Sequence, residues 1–372
     1  MVRAAVIGAS GYVGAETVRW LLSHPNFELV VASSEADAGK PLGALYPALL
    51  QAGSKDLVLV AHSEAMTGID FDVAFLAVPH TAAFAIAPSL LERGIAVVDL
   101  SADFRLKDAA TYEQWYEVAH TAPELLDHAV YGLPELNRLE LKEKVQAWQE
   151  GMGGPAGDKH SLPPLVANPG CYPTATALAC APALKAGLHA KNAPIIVNAI
   201  SGVSGAGRKA TQTTHFCSAS DDLCAYGATS HRHTPEIAQT LSGVAEHELK
   251  VVFTPHLAPL KRGMVSTVVL PLAKELSAAE AKAALEQAYA EAYSNEPFVS
   301  LLLFGTMPHS SSVAGTNYAQ VGCAYDAHSH SLVASCAIDN LGKGAAGQAI
   351  QNANILFGFD ETQGLDAVAP VV

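Results

Sequence analysis

The first hundred residues alternate short apolar runs with segments of helical periodicity, and this alternation constrains the fold more than any other feature. Strands buried on both faces are apolar throughout rather than at every second position. The predicted strands are Ala4–Ile7, Phe27–Ala32, Leu57–Val60, Val73–Val78 and Ile95–Leu100. Helical sequence follows the first strand at Gly14–Leu22 and separates the last two at Ala82–Leu91. The pattern predicts an α/β fold, a Rossmann-type doubly wound parallel sheet.

The second half of the chain has a different pattern, in which predicted strands outnumber helices. A helix candidate at Leu139–Glu150 is followed by Gly151–Pro164, whose glycines and prolines are typical of an exposed loop or hinge. The strands predicted beyond it are Pro194–Ile200, Lys250–Thr254, Met264–Leu272, Phe298–Leu303, Tyr318–Tyr325 and Ser331–Ile338. Helices are predicted at Ala278–Tyr293 and Gly342–Phe357. We expect an α+β domain around a mixed or antiparallel sheet.

Composition excludes several classes of protein. The 372 residues suggest two domains, and the net charge of −14, from 22 basic and 36 acidic side chains, argues against nucleic acid or an anionic membrane as the main partner. A hydrophobic share of 50% is too high for a disordered chain. Prolines interrupt the long uncharged stretches Val73–Leu91 and His160–Leu184, so neither is expected to span a membrane. Met1–Ile7 has no signal-peptide pattern, and six cysteines without a tight framework are typical of reduced thiols, so we expect a cytoplasmic protein.

A glycine-rich turn follows the first strand and begins the first helix. Glycines let the backbone bend sharply and approach a pyrophosphate, whose charge then lies at a helix N-terminus. The spacing is G-x-x-G-x-x-G rather than G-x-G-x-x-G, so an ordinary β–α turn is the alternative. The residues expected to bind a dinucleotide are Gly8, Ser10, Gly11, Tyr12, Val13 and Gly14.

The residues at the end of the second strand point to two different dinucleotides. Ser33 and Ser34 carry hydroxyls that suit a 2′-phosphate, whereas Glu35 and Asp37 suit a free ribose 2′-hydroxyl. The residues by themselves leave NADP and NAD open.

Cys171 has the sequence context of a nucleophile. It follows Asn168-Pro-Gly and precedes the helical run Ala175–Leu184. A cysteine at a helix N-terminus gains thiolate character, and the N–H groups there can stabilise an oxyanion. The alternative is a small buried residue. The other cysteines fit that alternative or show no metal-type spacing: Cys180, Cys217, Cys224, Cys323 and Cys336.

Two histidines, His231 and His233, precede Thr234, a good N-cap, and Pro235, which suits the first helical position. One residue apart in an extended segment, their rings can face the same way. This position suits general acid–base catalysis in thiol chemistry. The alternatives are a surface pair or a metal site, although the nearby sequence offers no further metal ligands.

Basic residues are scarce, so their placement is informative. Arg105 follows a predicted strand at the edge where doubly wound sheets bind ligands. Arg208 and Lys209 end a glycine-rich loop, and Lys261 and Arg262 lie between two predicted strands. Such residues suit phosphate or carboxylate binding, and solvated surface charges are the alternative.

Nine segments match one known family, in family order and over nearly the whole chain. They are GASGYVGAE (8–16), AGK (38–40), DLSADFR (99–105), YGLPE (131–135), NPGCYPTA (168–175), SGVSGAGRKA (201–210), HRHTPEI (231–237), FTPHLAPLKRGM (253–264) and DNLGKGAAGQAIQ (339–351). The chain resembles the N-acetyl-γ-glutamyl-phosphate reductases of arginine biosynthesis, which are relatives of aspartate-semialdehyde dehydrogenase.

The resemblance implies NADPH-dependent reduction of N-acetyl-glutamyl 5-phosphate to N-acetylglutamate 5-semialdehyde and phosphate, through a thioester on Cys171. It places His233, with His231 and Glu236, in an acid–base site, without deciding which histidine moves the proton. It makes NADP the cofactor, with Asn340 near the nicotinamide. The implied substrate-binding residues are Arg105, Asn168, Ser201, Gly202, Arg208, Lys209 and Arg262.

The resemblance also implies a domain layout and partners. We expect an NADP-binding domain at residues 1–167, with helix 340–358 packed back on it, and a catalytic and dimerisation domain at 168–339. The expected partners are the small substrate and phosphate, and a second copy in a homodimer or homotetramer. We expect no metal, nucleic acid or membrane partner.

Two features depart from the family pattern. Gly151–Pro164 looks like an insertion, and the carboxylate of Glu35 lies where it would repel a 2′-phosphate. The alternative functions are an acyl-phosphate reductase acting on aspartyl or aminoadipyl phosphate and a non-catalytic, redox-sensing dinucleotide-binding protein. The PGCYP and HRHTPE segments weigh against the aspartyl enzyme, and a redox sensor would leave Cys171 and the histidines without a joint role.

Overall fold

The computed structural model describes residues 1–54, 57–152, 162–273 and 276–371. The chain divides into two compact units: unit 1 comprises Met1–Pro169 and Ala345–Asp366, and unit 2 comprises Gly170–Gly344 and Ala367–Val372. The sequence placed these divisions after residues 167 and 339. Most of the predicted Gly151–Pro164 loop lies outside the described residues, and its first residue belongs to a helix.

Strands and helices are distributed over both units. The strands are β1 Val2–Ile7, β2 Phe27–Ser33, β3 Val73–Leu76, β4 Ala96–Asp99, β5 Ala129–Tyr131, β6 Leu165–Ala167, β7 Ile195–Gly202, β8 Cys224–Ala225, β9 Val251–Ala258, β10 Met264–Pro271, β11 Val299–Leu301, β12 Ala319–Asp326 and β13 Ser331–Ile338. The helices are α1 Tyr12–Ser23, α2 Leu42–Leu45, α3 His62–Gly68, α4 Ala83–Glu92, α5 Ala109–Tyr116, α6 Pro134–Met152, α7 Cys171–Lys185, α8 Phe216–Ala219, α9 His233–Ala245, α10 Ala278–Tyr293 and α11 Gly347–Leu356. Within the described ranges, no helix is both long and apolar enough to cross a membrane.

Unit 1 contains a six-stranded, all-parallel sheet in the order β2-β1-β3-β4-β6-β5. Strands β3 and β4 are buried along their whole length, as their apolar runs predicted, and so is β6, which the sequence analysis did not predict. The neighbours of β1 are β2 on one side and β3 on the other, so the order reverses beside β1. Doubly wound sheets bind ligands at the carboxyl ends of their strands at such a point. The predicted Rossmann-type fold is confirmed.

The prediction of a strand at Leu57–Val60 is wrong. Val60 makes one isolated parallel bridge to Ser33, and Val58 makes one antiparallel bridge to Pro41. Because the two residues pair with different segments in opposite senses, no continuous ladder forms here. The apolar run therefore closes the end of β2 without adding a strand.

Unit 2 contains a seven-stranded mixed sheet in the order β11-β12-β13-β10-β7-β9-β8. Most neighbouring strands are antiparallel, while β7 pairs with β9 and β11 with β12 in parallel. Helix α7 packs on β10, β12 and β13, and against α9 and α10. The predicted mixed or antiparallel sheet is confirmed.

Helix α7 is buried from Tyr172 to Leu184, so its backbone needs internal hydrogen-bond partners. Pro182 has no N–H and cannot donate to the carbonyl of Leu178 four residues earlier. The hydroxyl of Tyr293 on α10 donates to that carbonyl at 2.5 Å. A side chain from the neighbouring helix thus replaces the hydrogen bond that the proline removes.

Candidate active site

The glycine turn of unit 1 is shaped by close backbone contacts. Gly8 follows β1 with φ +96°, and a Cβ there would lie 2.3 Å from the carbonyl oxygen of Ala77, just beyond β3. A Cβ at Gly14 would lie 2.2 Å from the carbonyl oxygen of Gly8. Only glycine fits either position.

The turn leads into the N-terminus of α1. Gly11 is the N-cap residue, and no side chain caps the helix. The N–H groups of the first turn have no acceptor within the helix, and Tyr12 and Val13 are among the residues that carry them. A glycine backbone, a helix N-terminus and a position at the reversal of strand order together fit a dinucleotide pyrophosphate.

The two serines that end β2 are bonded within the protein. The hydroxyl of buried Ser34 lies 2.7 Å from the hydroxyl of Ser10, and that of buried Ser33 lies 2.8 Å from Nδ1 of His62. Glu35 has a side chain that is 65% exposed, and Oε1 of its carboxylate accepts the backbone N–H of His62. At the end of β2, a carboxylate therefore faces solvent while the serine hydroxyls face inward.

Cys171 begins α7 in unit 2. Gly170 is the N-cap residue, with φ −69° and ψ 157°, and no side chain caps this helix. Pro173 has no N–H, so the donors of the first turn include the N–H groups of Cys171 and Tyr172. A Cβ at Gly344 would lie 2.7 Å from Cβ of Cys171, so the backbone of Gly344 packs directly on the cysteine.

The remaining cysteines lie in different environments. Cys180, Cys323 and Cys336 are buried, and burial raises the pKa of the Cys180 and Cys323 thiols to about 12. Cys217 and Cys224 are exposed. Half-buried Cys171 alone lies at the N-terminus of a long helix.

The predicted histidine pair comes together with aromatic residues. The ring centroids of His231 and His233 are 5.0 Å apart, and the ring of Tyr172 lies 5.5 Å and 5.9 Å from them. The rings of Tyr226 and Phe253 lie 5.5 Å and 5.3 Å from His231. Since Tyr172 follows Cys171 in α7, this cluster connects both histidines to the start of the cysteine helix.

The local conformation of the pair differs from the prediction. Helix α9 begins at His233, with Arg232 as its N-cap residue, and the N–H of Thr234 donates to the carbonyl of His231 at 2.9 Å. The two histidines therefore lie in a turn rather than an extended segment, and Thr234 is not the N-cap. Pro235 is tolerated two positions later than expected, as the third helical residue, because the first turn needs no donor within the helix.

His231 is a neutral ring. Its Nδ1 accepts the backbone N–H of His233 at 3.1 Å, which places its own proton on Nε2. Burial, and then the charge of Arg232, lower its pKa to about 4. At neutral pH this ring therefore holds no positive charge.

Tyr226 was missed by the sequence analysis. Its hydroxyl lies 3.0 Å from the hydroxyl of Tyr172, and burial is the main cause that raises its pKa to about 12, with the charge of Cys171 contributing. The spacing of five residues before His231 is not a recognisable motif, because β8 and the fold of unit 2 create the contact. Tyr172 could have been found from its position beside Cys171.

Glu236 is 1% exposed and belongs to the first turn of α9. Its Oε1 accepts the backbone N–H of Gly170 at 2.9 Å. The predicted acid–base residue thus contacts the backbone that precedes the nucleophile.

Arg105 and Asn168, both predicted to bind substrate, are buried in unit 1. Nε of Arg105 donates to the carbonyl of Asn168 at 2.8 Å, and one terminal nitrogen donates to the carbonyl of Leu100 at 3.0 Å. The amide of Asn168 donates to the carbonyl of Ala345 and accepts from Asn352, each at 3.1 Å. Both side chains therefore bind protein backbone, and their contact with substrate stays a prediction.

Arg262 and Asn340 have internal partners in unit 2. The guanidinium of Arg262 contacts the buried carboxylate of Asp339 through two hydrogen bonds of 2.6 Å and 2.9 Å. The amide of Asn340 accepts from the N–H of Gly263 at 2.7 Å and donates to Ser204 at 2.9 Å. Arg262 is therefore paired with the carboxylate that follows β13, and Asn340 is bonded to the segments that follow β7 and β9.

The other predicted substrate residues lie at the end of β7 or in the loop beyond it. Ser201 is buried, and a Cβ at Gly202 would lie 2.8 Å from the carbonyl oxygen of Leu260, so Gly202 allows a close backbone approach. Arg208 and Lys209 are exposed. Within the described ranges, no three His, Cys, Asp or Glu side chains come together as metal ligands.

Comparisons with known proteins cover nearly the whole chain. Residues 3–144 match the family "Semialdehyde dehydrogenase, NAD binding domain", and residues 171–340 match "Semialdehyde dehydrogenase, dimerisation domain". Proteins named N-acetyl-gamma-glutamyl-phosphate reductase from Moorella thermoacetica and Symbiobacterium thermophilum are each 44% identical, over 98% and 100% of this chain and 98% and 99% of theirs. The chain belongs to the N-acetyl-γ-glutamyl-phosphate reductase family.

Solved structures share the fold at low identity. Aspartate semialdehyde dehydrogenase II from Vibrio cholerae matches with a TM-score of 0.69 and 17% identity, over 96% of this chain and 98% of that one. The Candida albicans aspartate semialdehyde dehydrogenase, solved with NADP, matches with a TM-score of 0.69 and 18% identity, over 96% and 99%. The chain is an oxidoreductase with an NAD(P)-binding domain, as predicted.

Proposed function

We propose that this chain reduces N-acetyl-glutamyl 5-phosphate to N-acetylglutamate 5-semialdehyde and phosphate with NADPH, through a thioester on Cys171. The observation that carries the proposal is the arrangement in unit 2, where a cysteine at a helix N-terminus adjoins a tyrosine that contacts two histidines. The family's curated members bear the name of this reaction.

Unit 1 binds the dinucleotide in this proposal. Gly8 and Gly14 let the backbone approach the pyrophosphate, and the first-turn N–H groups of α1, including those of Tyr12 and Val13, bind its oxygens. NADPH, when bound, supplies the hydride that reduces the thioester carbonyl.

Cys171 forms the covalent intermediate. Its thiolate attacks the acyl carbon, the bond to the phosphate oxygen breaks, and phosphate leaves with the electron pair of that bond. The N–H groups of Cys171 and Tyr172 stabilise the negative oxygen of each tetrahedral intermediate. After reduction, the hydroxyl proton of the thiohemiacetal returns to the acid–base residue, the C–S bond breaks, and the aldehyde leaves as the electron pair of that bond regenerates the Cys171 thiolate.

We assign proton transfer to His233. His231 stays neutral because its pKa is lowered to about 4, and its Nδ1 is held by the N–H of His233. Its Nε2–H can orient substrate or Tyr226 without changing protonation. His233 therefore takes the proton of the thiol and gives a proton to the developing hydroxyl.

The anionic groups of the substrate need cations. Arg208 and Lys209 are exposed at the end of the loop after β7, and we propose them as the phosphate-binding pair. Arg105 and Asn168 hold the backbone ahead of Cys171, and Arg262 orders the loop after β9 through Asp339. Their contribution to substrate binding is indirect in this proposal.

The assembly is proposed as a homodimer or homotetramer in the cytoplasm, with no nucleic acid or membrane partner. Side chains along β7 alternate between a buried and a more exposed face of the unit 2 sheet. The more exposed face carries apolar side chains that are partly exposed, Ile200 at 39% and Val252 on β9 at 48%. A second copy of this sheet is a matched partner for such a face.

The reverse reaction tests the proposal. Purified protein is given N-acetylglutamate 5-semialdehyde, phosphate and NADP⁺, and absorbance of the reduced cofactor is followed. We expect phosphate-dependent reduction that disappears in Cys171→Ala and is at least about 100-fold slower with aspartate semialdehyde. A signal that survives Cys171→Ala overturns the mechanism, and equal rates with both aldehydes overturn the substrate.

A further inference from the structure

The carboxyl group of Glu236 has an unusual position. It is buried, it belongs to the first turn of α9, and it accepts a hydrogen bond from the N-cap residue of a second helix, α7. Two helix N-termini, each carrying partial positive charge, therefore meet at one carboxyl group. This accounts for a buried acidic side chain at the point where the two helices pack together.

The hydrogen bond acts on the residue before the nucleophile. Gly170 has no side chain, and its φ and ψ angles set the direction in which α7 begins. The carbonyl of Gly170 accepts the N–H of Thr174 at 3.0 Å, while its own N–H is held by Glu236 at 2.9 Å. Both sides of this glycine are thus fixed, one by the helix and one by Glu236.

This contact leaves Glu236 poorly placed to carry a proton. An acid–base residue must reach the reacting group, and its proton must exchange during each cycle. Oε1 of Glu236 is instead committed to a backbone donor that has no part in the chemistry, and almost none of the side chain is exposed.

We infer that Glu236 is a positioning residue for Cys171: by holding the N–H of Gly170 it fixes the first turn of α7 and directs the N–H groups of that turn at the substrate oxygen. It transfers no proton in the reaction. The inference rests on the proposed function for its effect on turnover, and its placement of Gly170 can be tested without substrate.

The carboxylate also adds negative charge near the thiolate of Cys171. A Gln at position 236 keeps the acceptor oxygen and removes the charge, whereas an Ala removes both. The pair of variants therefore separates the hydrogen bond from the charge. Glu246, the exposed residue at the other end of α9, supplies a control in which the same charge is removed from the same helix.

The first experiment measures turnover. We expect Glu236→Gln to keep kcat within about threefold of the wild type, and Glu236→Ala to lower kcat by about 100-fold with KM changed less than threefold, because the interaction serves the transition state. Glu246→Gln leaves both constants unchanged. An equal loss of kcat in Glu236→Gln and Glu236→Ala would identify Glu236 as a proton carrier and overturn the inference. Full activity in Glu236→Ala would also overturn it.

The second experiment measures alkylation of Cys171 by iodoacetamide as a function of pH, and needs neither substrate nor cofactor. Both Glu236 variants should react with a midpoint at lower pH than the wild type, because a neutral side chain no longer repels the thiolate. Glu246→Gln should show the wild-type midpoint. An unchanged midpoint in both Glu236 variants contradicts a carboxylate placed next to the cysteine.

A third measurement uses only the wild-type protein, so it stands even if a variant fails to fold. The amide hydrogen of Gly170 should exchange with solvent at least about 100-fold more slowly than an unprotected amide. Unprotected exchange overturns the inference. If exchange and alkylation agree with it while the protein fails to reduce N-acetyl-glutamyl phosphate, then the proposed substrate is at fault and the placement of Glu236 stands.

Discussion

Helices α1 and α7 begin in nearly the same way. Each has a glycine as N-cap residue, with φ and ψ of −74° and 164° at Gly11 and of −69° and 157° at Gly170, and neither has a side-chain cap. Both first turns therefore offer backbone N–H groups to an external negative charge. The same local backbone serves a dinucleotide in unit 1 and, by our proposal, an oxyanion in unit 2.

The difference between them lies in what surrounds the glycines. In unit 1 the backbone of Gly8 packs against the backbone of Ala77, so the nearest neighbours of this glycine are main-chain atoms. In unit 2 the N–H of Gly170 is held by a side chain from another helix, and Gly344 packs on the cysteine. A site that binds needs a fixed backbone, whereas a site that reacts also needs neighbours that place the nucleophile.

The largest expected effect separates reaction from binding. Cys171→Ala should lower the rate of NADP⁺ reduction by at least about 10⁴-fold, because the covalent route is lost. The dissociation constant for NADPH, measured by fluorescence, should stay within twofold, because α1 is unchanged. Cys217→Ala, which removes an exposed thiol, is the control and should retain full turnover. Loss of cofactor binding in Cys171→Ala would show that the two helix termini do not act separately.

The reciprocal change is Gly8→Ala. Its φ of +96° and the 2.3 Å approach to Ala77 require the backbone to move, so we expect cofactor affinity to fall by about 100-fold and the free energy of unfolding to fall by about 3 kcal/mol. Gly39 also has positive φ but nothing within 4 Å of its Cβ position, so Gly39→Ala reports backbone strain alone, about 1 kcal/mol. Urea unfolding measures the free energy of unfolding, and cofactor titration measures the affinity. Equal effects of Gly8→Ala and Gly39→Ala would show that packing against Ala77 is unimportant.

A third change displaces the nucleophile without removing it. Gly344→Ala puts a methyl group 2.7 Å from Cβ of Cys171, and we expect kcat to fall by about 100-fold through misplacement of the sulfur. Gly243 in α9 has open space at its Cβ position, so Gly243→Ala should keep full turnover and stabilise the fold by about 0.5–1 kcal/mol. Normal turnover in Gly344→Ala would mean that this contact does not position the cysteine.

A smaller effect concerns the choice of cofactor in unit 1. Glu35→Gln removes the exposed carboxylate at the end of β2, so the ratio of NADPH affinity to NADH affinity should rise by about tenfold. Glu28→Gln removes the same charge from the opposite end of β2 and should leave the ratio unchanged. Titration of both cofactors into each variant measures the ratio, and an unchanged ratio in Glu35→Gln removes Glu35 from cofactor choice.

The smallest effects have opposite signs in the two units. Burial lowers the pKa of His231 to about 4, so the unfolded chain binds its proton first, and stability falls as pH decreases from about 6.5 toward 4. Burial, and then the charge of Asp103, raise the pKa of Asp99 to about 7, so stability from the protonated acid falls as pH rises from about 4 toward 7.

Thermal midpoints at pH 7.5 and 5.0 test these signs. Acidification should lower the thermal midpoint of the wild type by about 3 °C more than that of His231→Gln. It should lower the midpoint of Asp99→Asn more than that of the wild type, because this variant lacks the stabilisation that comes from protonating Asp99. His309→Gln, at an exposed position, should follow the wild type. Changes of the same sign in both variants would contradict the assignment of these two buried groups.

Much of unit 1 could be predicted because its signals are local. An apolar run buried on both faces predicts a parallel strand without knowledge of its neighbours, and a glycine turn after the first strand predicts the start of a helix. The prediction of a strand at Leu57–Val60 was wrong because an apolar run indicates only that a segment is buried, whereas a strand also needs a continuous pairing partner. The Cys171 helix was predicted from its interior, and its start four residues earlier depends on Gly170 and Glu236.

The site residues divide in the same way. Cys171, His231 and His233 could be selected because each lies beside a predicted helix start, where backbone donors are unpaired. Arg105 and Arg262 were assigned to ligands from their charge and placement, and Asn168 and Asn340 from the family resemblance. Whether such a side chain contacts a ligand or protein backbone, as Asn168 contacts the carbonyl of Ala345, depends on tertiary packing, which spacing along the chain does not contain.

The sequence by itself determined the family and the parallel sheet with its glycine turn, and it selected Cys171 as the predicted nucleophile, because motifs and periodicity encode contacts between near neighbours. Only the tertiary structure decided that Glu236 holds Gly170, that Tyr226 contacts Tyr172, and that burial keeps His231 neutral by lowering its pKa. Burial and long-range hydrogen bonds set protonation and position, and both arise from packing between elements far apart in the chain.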